Sequence, residues 1–200
     1  MQSILVTGGT GSFARAFVRR LLETGEAGRI RVFSRGEHAQ ETMARELAPL
    51  DKDERLAFFL GDVRDRDRLH MAMRGIDTVV HAAAMKIVPA CEYNPFEAVK
   101  TNILGAQNVI ETAIARDVSR VVALSTDKCV EPLNLYGATK LCAEKLFLAA
   151  GAYASALETR FAVVRYGNVT GSRASVVPLW QSMLAAGRRK VPVTSPFCTR

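Results

Sequence analysis

The sequence has few of the residues that bind metals or form disulfides. It contains only four cysteines and three histidines, and no two cysteines have the CxxC spacing of a zinc or redox motif. The histidines are scattered along the chain, so no metal site is expected. These shortages predict a protein with reduced thiols, as in the cytoplasm.

Long apolar runs are also absent. Residues 1–9, MQSILVTGG, pass directly into a strand-like run, without the basic segment and apolar stretch of a secretory signal. No run is long enough to span a membrane. We therefore expect a cytoplasmic protein with no membrane partner.

The charge excess is small and dispersed. The chain has 27 Lys and Arg residues against 20 Asp and Glu residues, a net charge of +7. Basic and acidic residues are interleaved, as in GDVRDRDRLH, and the densest basic run, residues 188–190, is interpreted as a solvated helix end. We expect no nucleic-acid partner. A secondary role for the positive charge is attraction of anionic small molecules such as phosphorylated cofactors.

Short apolar runs alternate with longer segments of helical periodicity, such as EAVKTNILGAQNVIETAIARD, residues 97–117, which reads as one helix. The six runs are SILVTGG, RIRVFSR, LAFFLGDV, DTVVHAAA, RVVALSTD and FAVVRYGN, and each reads as a strand buried on both faces. Alternation of this kind predicts an α/β fold with a doubly wound parallel sheet. Residues 191–200, VPVTSPFCTR, start like another strand without a following helix, so we expect a C-terminal substrate-binding part to be absent.

The first predicted strand ends in TGGTGSFA, residues 7–14. Its glycines allow a tight turn and close approach to a pyrophosphate, and the helix that follows offers free N–H groups. A helix cap alone is the alternative explanation, but the position after a first strand favours a dinucleotide site in a Rossmann fold. The predicted phosphate loop comprises Gly8, Thr10, Gly11, Ser12 and Phe13.

The second predicted strand ends in Ser34 and Arg35 rather than in an acidic residue. An acid would bind the ribose 2′-hydroxyl of NAD, whereas a hydroxyl and a guanidinium suit the 2′-phosphate of NADP. NADP is therefore predicted in preference to NAD, and a surface arginine at a strand end is the alternative. Further cofactor contacts are expected from Asp62, Val63, Ala82 and Ala83.

The fifth predicted strand leads into STDKCVEPLNLYGATK, residues 125–140. Asn134 is the expected N-cap of the next helix, which places Tyr136 in its first turn and Lys140 one turn later on the same face. A nearby ammonium and a helix N-terminus both favour the phenolate, so we expect them to lower the pKa of Tyr136. Tyr136 would then accept a proton from a substrate hydroxyl as hydride leaves for a nicotinamide, with Tyr136 and Lys140 also contacting that cofactor.

These motifs resemble those of the extended short-chain dehydrogenase/reductases, through TGGTGSF, GDV, HAAA and YGATK. The sequence is still more similar to the inverting UDP-N-acetylglucosamine 4,6-dehydratases of pseudaminic acid biosynthesis, through HAAAMK, EYNPFEAVKTNI, STDK, NLYGATKLCAEKLF and VRYGNVTGSR. The resemblance covers essentially the whole chain. It implies one NADP-binding Rossmann domain over residues 1–200 that carries the catalytic residues, a substrate-binding region that begins at about 168–200, and a UDP-sugar as substrate. A homo-oligomer is also expected.

The resemblance also implies how the elimination of water is catalysed. Oxidation at C4 makes the C5 proton acidic, and Lys128 is then the expected base at C5, while Asp127 protonates the departing C6 hydroxyl. Lys128 must lose its proton to do this, so we expect it to titrate together with Asp127. Thr126 is expected to bind the C4 oxygen. A surface ion pair between Asp127 and Lys128 is the alternative.

The same resemblance implies cofactor contacts at Lys86 and Asn102, and substrate contacts at Lys86, Asn168, Thr199 and Arg200. Two other residues are interpreted as structural, because His81 lies within an apolar strand and Cys129 has no evident base beside it. Two other functions stay open: a nucleotide-sugar 4-epimerase or reductase on the same fold, and an NADP-binding module without catalysis.

Overall fold

The computed structural model describes residues 2–153, 158–172 and 175–193. All six predicted strands are present, and they form one parallel sheet in the order β3-β2-β1-β4-β5-β6. The prediction of a doubly wound α/β fold is confirmed. The strands are β1 Ser3–Thr7, β2 Arg29–Ser34, β3 Leu56–Leu60, β4 Thr78–His81, β5 Arg120–Leu124 and β6 Arg160–Val164.

Helices connect the strands and cover both faces of the sheet. Within the described residues they are α1 Ser12–Thr24, α2 Glu37–Leu47, α3 Arg66–Ala72, α4 Val88–Tyr93, α5 Pro95–Val99, α6 Gly105–Ala115, α7 Leu135–Tyr153 and α8 Val176–Ala185. None of the helices in this part of the chain is long and apolar enough to cross a membrane.

Two apolar layers enclose the central strand β1, whose five residues are all buried. Ile4 and Val6 face the layer that contains buried residues of α1 and α2, whereas Leu5 faces the layer formed with α3, α6 and α7. Successive strand residues point to opposite faces, so an apolar run without polar alternation is what a strand covered on both sides requires.

The strand order reverses beside β1, because β2 follows it on one side and β4 lies on the other. In doubly wound sheets the two connections leave such a point in opposite directions and open a crevice at the carboxyl ends of the strands. The predicted phosphate loop follows β1, and the loop that begins with Ala82 follows β4. Both therefore lie at this crevice.

One segment differs from its sequence prediction. The single helix expected over residues 97–117 is interrupted by a π-helical turn, Lys100–Leu104, between α5 and α6. Gly105 follows it, and a Cβ there would lie 2.7 Å from Cγ2 of Val63. A strand was also expected to begin at residue 191. Residues 191–193 form no strand, and residues 194–200 lie outside the described part of the chain.

Candidate active site

The loop after β1 approaches the loop after β4 so closely that only glycine fits. Gly8 has φ +64°, and a Cβ on it would lie 2.7 Å from the backbone nitrogen of Ala83 and 2.8 Å from the carbonyl oxygen of Ala82. Gly11 is the N-cap of α1 and has no side chain to bond the first N–H groups of the helix. Those groups are donors for a phosphate, so this loop fits the pyrophosphate of a dinucleotide.

A cavity of about 580 Å³ opens at this end of the sheet. It extends from the phosphate loop past the loop after β4 to the segments that follow β5 and β6. The structure brings together in its lining the predicted residues Gly8, Gly11, Ser12, Phe13, Ala82, Ala83, Lys86, Thr126, Lys128, Tyr136 and Asn168. The predicted residues Thr199 and Arg200 lie outside the described part of the chain.

Beyond the phosphate loop, the residues expected to bind the adenosine half are held in different ways. Ser34 is buried, and its hydroxyl accepts a hydrogen bond from Nε2 of Gln40 at 3.0 Å. Asp62 accepts three hydrogen bonds from Arg64, one from its backbone nitrogen at 3.0 Å and two from its guanidinium at 2.9 and 2.7 Å. The side chain of Arg35 is 62% exposed and lies 3.7 Å from Asp62. Arg35 is therefore the exposed cation at the end of β2.

Asn102 and Val63 have packing roles. Asn102 is 1% exposed; its side-chain oxygen accepts from the Met85 nitrogen, and its amide donates to the Met85 oxygen and to Thr139. These bonds fix the loop after β4 against α7, so Asn102 shapes the expected cofactor site from behind. Val63 is 4% exposed and belongs to the core.

The Tyr136 and Lys140 pair lies at the start of α7, as predicted. Asn134 caps the helix by accepting a hydrogen bond from the Gly137 nitrogen at 2.9 Å. Lys140 is 7% exposed, and its ammonium donates to the Leu124 carbonyl at 2.7 Å. Burial lowers the pKa of Lys140 to about 8, although Cys129 and Glu144 favour the charged form. Lys140 is thus largely protonated at neutral pH.

The pKa of Tyr136 differs from expectation. Burial of the phenol raises it, and a hydrogen bond with Thr126 only partly offsets that effect. The predicted lowering is therefore not found, because desolvation of the phenolate outweighs the bond that stabilises it. Thr126 instead joins the phenol to the segment that carries Asp127.

Asp127 and Lys128 lie in a short 3₁₀ turn, Asp127–Cys129, directly after β5. The ammonium of Lys128 donates to Oδ1 of Asp127 and to Oδ1 of Asn168, both at 3.0 Å. Each member of the ion pair is 35% exposed. Because Lys128 lines the cavity and is held by a residue from the segment after β6, the pair differs from a freely solvated surface ion pair.

Two residues beside the pair were missed by sequence reasoning. Tyr166 lines the cavity two residues before Asn168, and the signal for it was its place just after the sixth predicted strand. Glu144 is buried, and its carboxylate binds Ser125, Cys129 and Arg165. The signal for Glu144 was its position four residues after Lys140, on the same face of α7.

His81 is a core residue, as predicted. It is 2% exposed, and its Nδ1 lies 2.8 Å from the Thr7 hydroxyl. The pKa of His81 is lowered to about 3, chiefly because the ring is buried and secondarily because of the charge of Lys140. The imidazole is therefore neutral at physiological pH.

Comparison with known proteins agrees with this geometry. The polysaccharide biosynthesis protein family matches residues 4–200. A UDP-N-acetylglucosamine 4,6-dehydratase (inverting) from Campylobacter jejuni serotype O:2 is 50% identical over 200 residues, which cover the whole of this chain and 58% of the relative. A UDP-glucose 4-epimerase from Rickettsia akari is 44% identical over 202 residues, with the same coverage. The chain thus spans 58% of the length of these curated relatives.

A solved structure has the same fold. A double mutant of DesIV, a dTDP-glucose 4,6-dehydratase from Streptomyces venezuelae, in a crystal structure with NAD bound, is 31% identical with a TM-score of 0.75. The match covers 92% of this chain and 62% of that one.

Proposed function

The chain belongs to the extended short-chain dehydrogenase/reductases and, within them, to the polysaccharide biosynthesis protein family, and on this premise we propose that it is an NADP-dependent, C5-inverting UDP-N-acetylglucosamine 4,6-dehydratase. One observation carries the proposal: Tyr136 and Lys128 line the same cavity. Tyr136 belongs to a pair that fits hydride transfer, and Lys128 to a pair that fits elimination. The name of the Campylobacter relative supports the same activity.

The cofactor is expected along the phosphate loop and the end of β2. The glycine-rich turn after β1 and the N-terminus of α1 would hold the pyrophosphate. The exposed guanidinium of Arg35 would pair with a 2′-phosphate. When bound, the nicotinamide supplies a hydride acceptor for C4 and a hydride donor for C6. Ser34 and Asp62 are assigned to the ribose and adenine sides, and NADP is preferred to NAD because of Arg35.

Each step of the reaction then has a residue for its proton. Tyr136 takes the proton of the C4 hydroxyl while the C4–H bond breaks, which leaves a C4 ketone. Lys128 removes the proton from C5, and Asp127 protonates the C6 hydroxyl, which leaves as water. C5 finally gains a solvent-derived proton as C6 becomes a methyl group. The hydride removed from C4 returns to C6, and a solvent proton replaces the one removed from C5. The net change is therefore the loss of one water from the sugar, and no external oxidant is consumed.

Three neighbours support these roles. The charged ammonium of Lys140, one turn from Tyr136, favours the phenolate form during proton transfer. Thr126, which bonds Tyr136, would hold the C4 oxygen. Asn168 bonds the amine of Lys128 and keeps it beside Asp127. The expected sugar contacts of Lys86 and Asn168 belong to the same proposal, as do those of Thr199 and Arg200.

Reaction in heavy water tests the proposal. Protein, NADP and UDP-N-acetylglucosamine should give a 4-keto-6-deoxy sugar that has lost one water and carries one deuteron at C5, detected by mass spectrometry and proton NMR. Tyr136→Phe should abolish turnover, and Lys145→Met, an exposed lysine change on α7, should not. A product without deuterium at C5 would rule out the proposed deprotonation.

A 4-epimerase is the second candidate, because the Rickettsia relative carries that name. An epimerase would return a UDP-sugar of unchanged mass with its C6 oxygen retained and its C4 configuration changed. A binding module without catalysis would bind NADP and leave the sugar unchanged. The predicted domain assignment, homo-oligomeric state and cytoplasmic location stay predictions.

A further inference from the structure

A buried carboxylate lies directly behind the proposed catalytic residues. Glu144 is 6% exposed and follows Tyr136 by eight residues on the same face of α7. A buried carboxylate without partners is strongly unfavourable, so the partners of Glu144 explain why its burial is tolerated. Those partners come from two other segments of the chain, one after β5 and one after β6.

The carboxylate joins α7 to the ends of two strands. The Ser125 hydroxyl, just after β5, donates to Oε2 of Glu144 at 2.8 Å. Arg165, just after β6, donates from Nε to the same oxygen at 2.9 Å and from Nη2 to Oε1. A bidentate arginine pair fixes both distance and orientation. The ends of β5 and β6 are therefore tied to one point on α7.

The third partner is the turn that carries the proposed base. The Cys129 thiol lies 3.4 Å from Oε2 of Glu144 and 2.8 Å from the Thr126 carbonyl oxygen. Its single hydrogen is shared between these two acceptors. Ser125 and Cys129 flank the two residues of the proposed elimination pair, so Glu144 contacts both ends of the segment that carries them.

Glu144 stays ionised over the working pH range of such an enzyme. Hydrogen bonds from Arg165, the largest effect, lower its pKa to about 2 against the opposing effect of burial. The bonds from Ser125 and Cys129 act in the same direction. The contact between helix and turn is thus charge-assisted and persistent.

We propose that Glu144 is a positioning residue, which holds the Asp127–Cys129 turn in register with the first turn of α7. The inference rests on the proposed function, since it concerns the same site. Hydride transfer depends on groups of α7, whereas elimination also depends on groups of the turn. Loosening the turn should therefore slow elimination more than oxidation, because misplacement of a base by about 1 Å costs roughly a hundredfold in rate.

The test separates the two half-reactions. In Glu144→Gln, oxidation at C4 should stay within about threefold of wild type, while C5 deuterium exchange and product formation fall by roughly tenfold or more. Reduced cofactor should then accumulate, visible as near-ultraviolet absorbance in single-turnover stopped-flow traces. A merely destabilising change would lower both half-reactions by the same factor and give no such accumulation.

A second pair of variants covers the case in which Glu144→Gln folds poorly. The Arg165 side chain is 48% exposed, and in Arg165→Met the Glu144 carboxylate keeps its bonds from Ser125 and Cys129. This variant should therefore fold and show the same accumulation. Arg165→Lys keeps the charge but loses the bidentate geometry, and it should restore part of the elimination rate. Equal slowing of oxidation and elimination in these variants, or no change in either step, would overturn the inference. Turnover by the wild-type protein would still support the proposed function in that case. An inactive wild type would overturn both.

Discussion

Gly137 and Lys128 touch through their backbones. A Cβ on Gly137 would lie 2.2 Å from the carbonyl oxygen of Lys128 and 3.0 Å from Cβ of Pro132. Atoms at such distances overlap, so the first turn of α7 packs against the turn after β5 with no room for a methyl group. The geometry of the proposed site thus depends on this glycine.

Gly137→Ala should force the helix and the turn apart. We expect loss of about 1–3 kcal/mol of unfolding free energy and a fall in product formation of at least roughly tenfold. Urea unfolding and a product assay check the two effects. Gly151→Ala is the matched control, because a Cβ at Gly151, also in α7, meets nothing within 4 Å. It should stabilise the helix by up to ~1 kcal/mol and leave activity intact. Wild-type activity in Gly137→Ala would contradict the claim that the site depends on this close contact between α7 and the turn after β5.

The glycine-rich turn after β1 and the helix cap Asn134, which precedes Tyr136, were predictable because both are local features of the sequence. Gly8 and Gly11 follow a strand and precede a helix, and Asn134 lies two residues before Tyr136, so short sequence windows contain the whole signal. The six strands were predictable for a similar reason, since a sheet covered on both faces needs unbroken apolar runs.

Contacts between distant segments were not predictable in the same way. The bond from Lys128 to Asn168 joins residues 40 positions apart, and no pattern specifies which strand end faces which. In the π-helical turn, Lys100–Leu104, the side chain of Asn102 bonds the backbone of Met85 in the loop after β4, and no local pattern contains that contact. The raised pKa of Tyr136 depends on burial, which only the packed structure reveals.

Arg35 should determine the preference for NADP. Its guanidinium is exposed at the end of β2, and a charge-assisted bond to a 2′-phosphate contributes about 1.5–3 kcal/mol. Arg35→Met should therefore weaken NADP binding by roughly tenfold or more and leave NAD binding nearly unchanged, measured by isothermal titration calorimetry. Arg20→Met, an exposed change near the end of α1, is the control and should alter neither. Equal weakening of both cofactors would contradict a 2′-phosphate contact.

Asn168→Asp should slow elimination by favouring the charged form of Lys128. The change places a second carboxylate where Oδ1 of Asn168 now lies, 3.0 Å from the ammonium, and an opposite charge at that distance stabilises the protonated amine. We expect the C5 exchange rate at pH 7 to fall by roughly tenfold and to recover at higher pH. Asn168→Ala removes the bond without adding charge, so its rate should rise with pH at lower pH values than the rate of Asn168→Asp. Identical pH profiles for the two variants would contradict a role for Lys128 as base.

Lys140 should destabilise the fold at neutral pH. Its pKa falls from 10.5 to about 8 on burial, so below about pH 8 the native state bears the full cost of a buried charge. As pH rises from about 8 to 10.5, the native state releases this proton while the unfolded chain keeps it, and stability increases. Lys140→Met should therefore stabilise the protein at pH 7 by about 1–3 kcal/mol, allowing for the unpaired Leu124 carbonyl, while turnover is lost.

Urea unfolding at pH 7 and pH 9.5 checks this sign. The stability advantage of Lys140→Met should shrink at the higher pH, because wild type has by then lost much of its buried charge. Lys145→Met, at an exposed position of the same helix, should change stability by less than ~0.5 kcal/mol at either pH. A Lys140→Met protein that is less stable than wild type by the same amount at both pH values would show that the Leu124 bond outweighs desolvation. If Lys140→Met is more stable than wild type at pH 7 and this difference disappears at pH 9.5, the buried charge of Lys140 destabilises the fold. The protein then retains a charged lysine one turn from Tyr136 at a cost in stability.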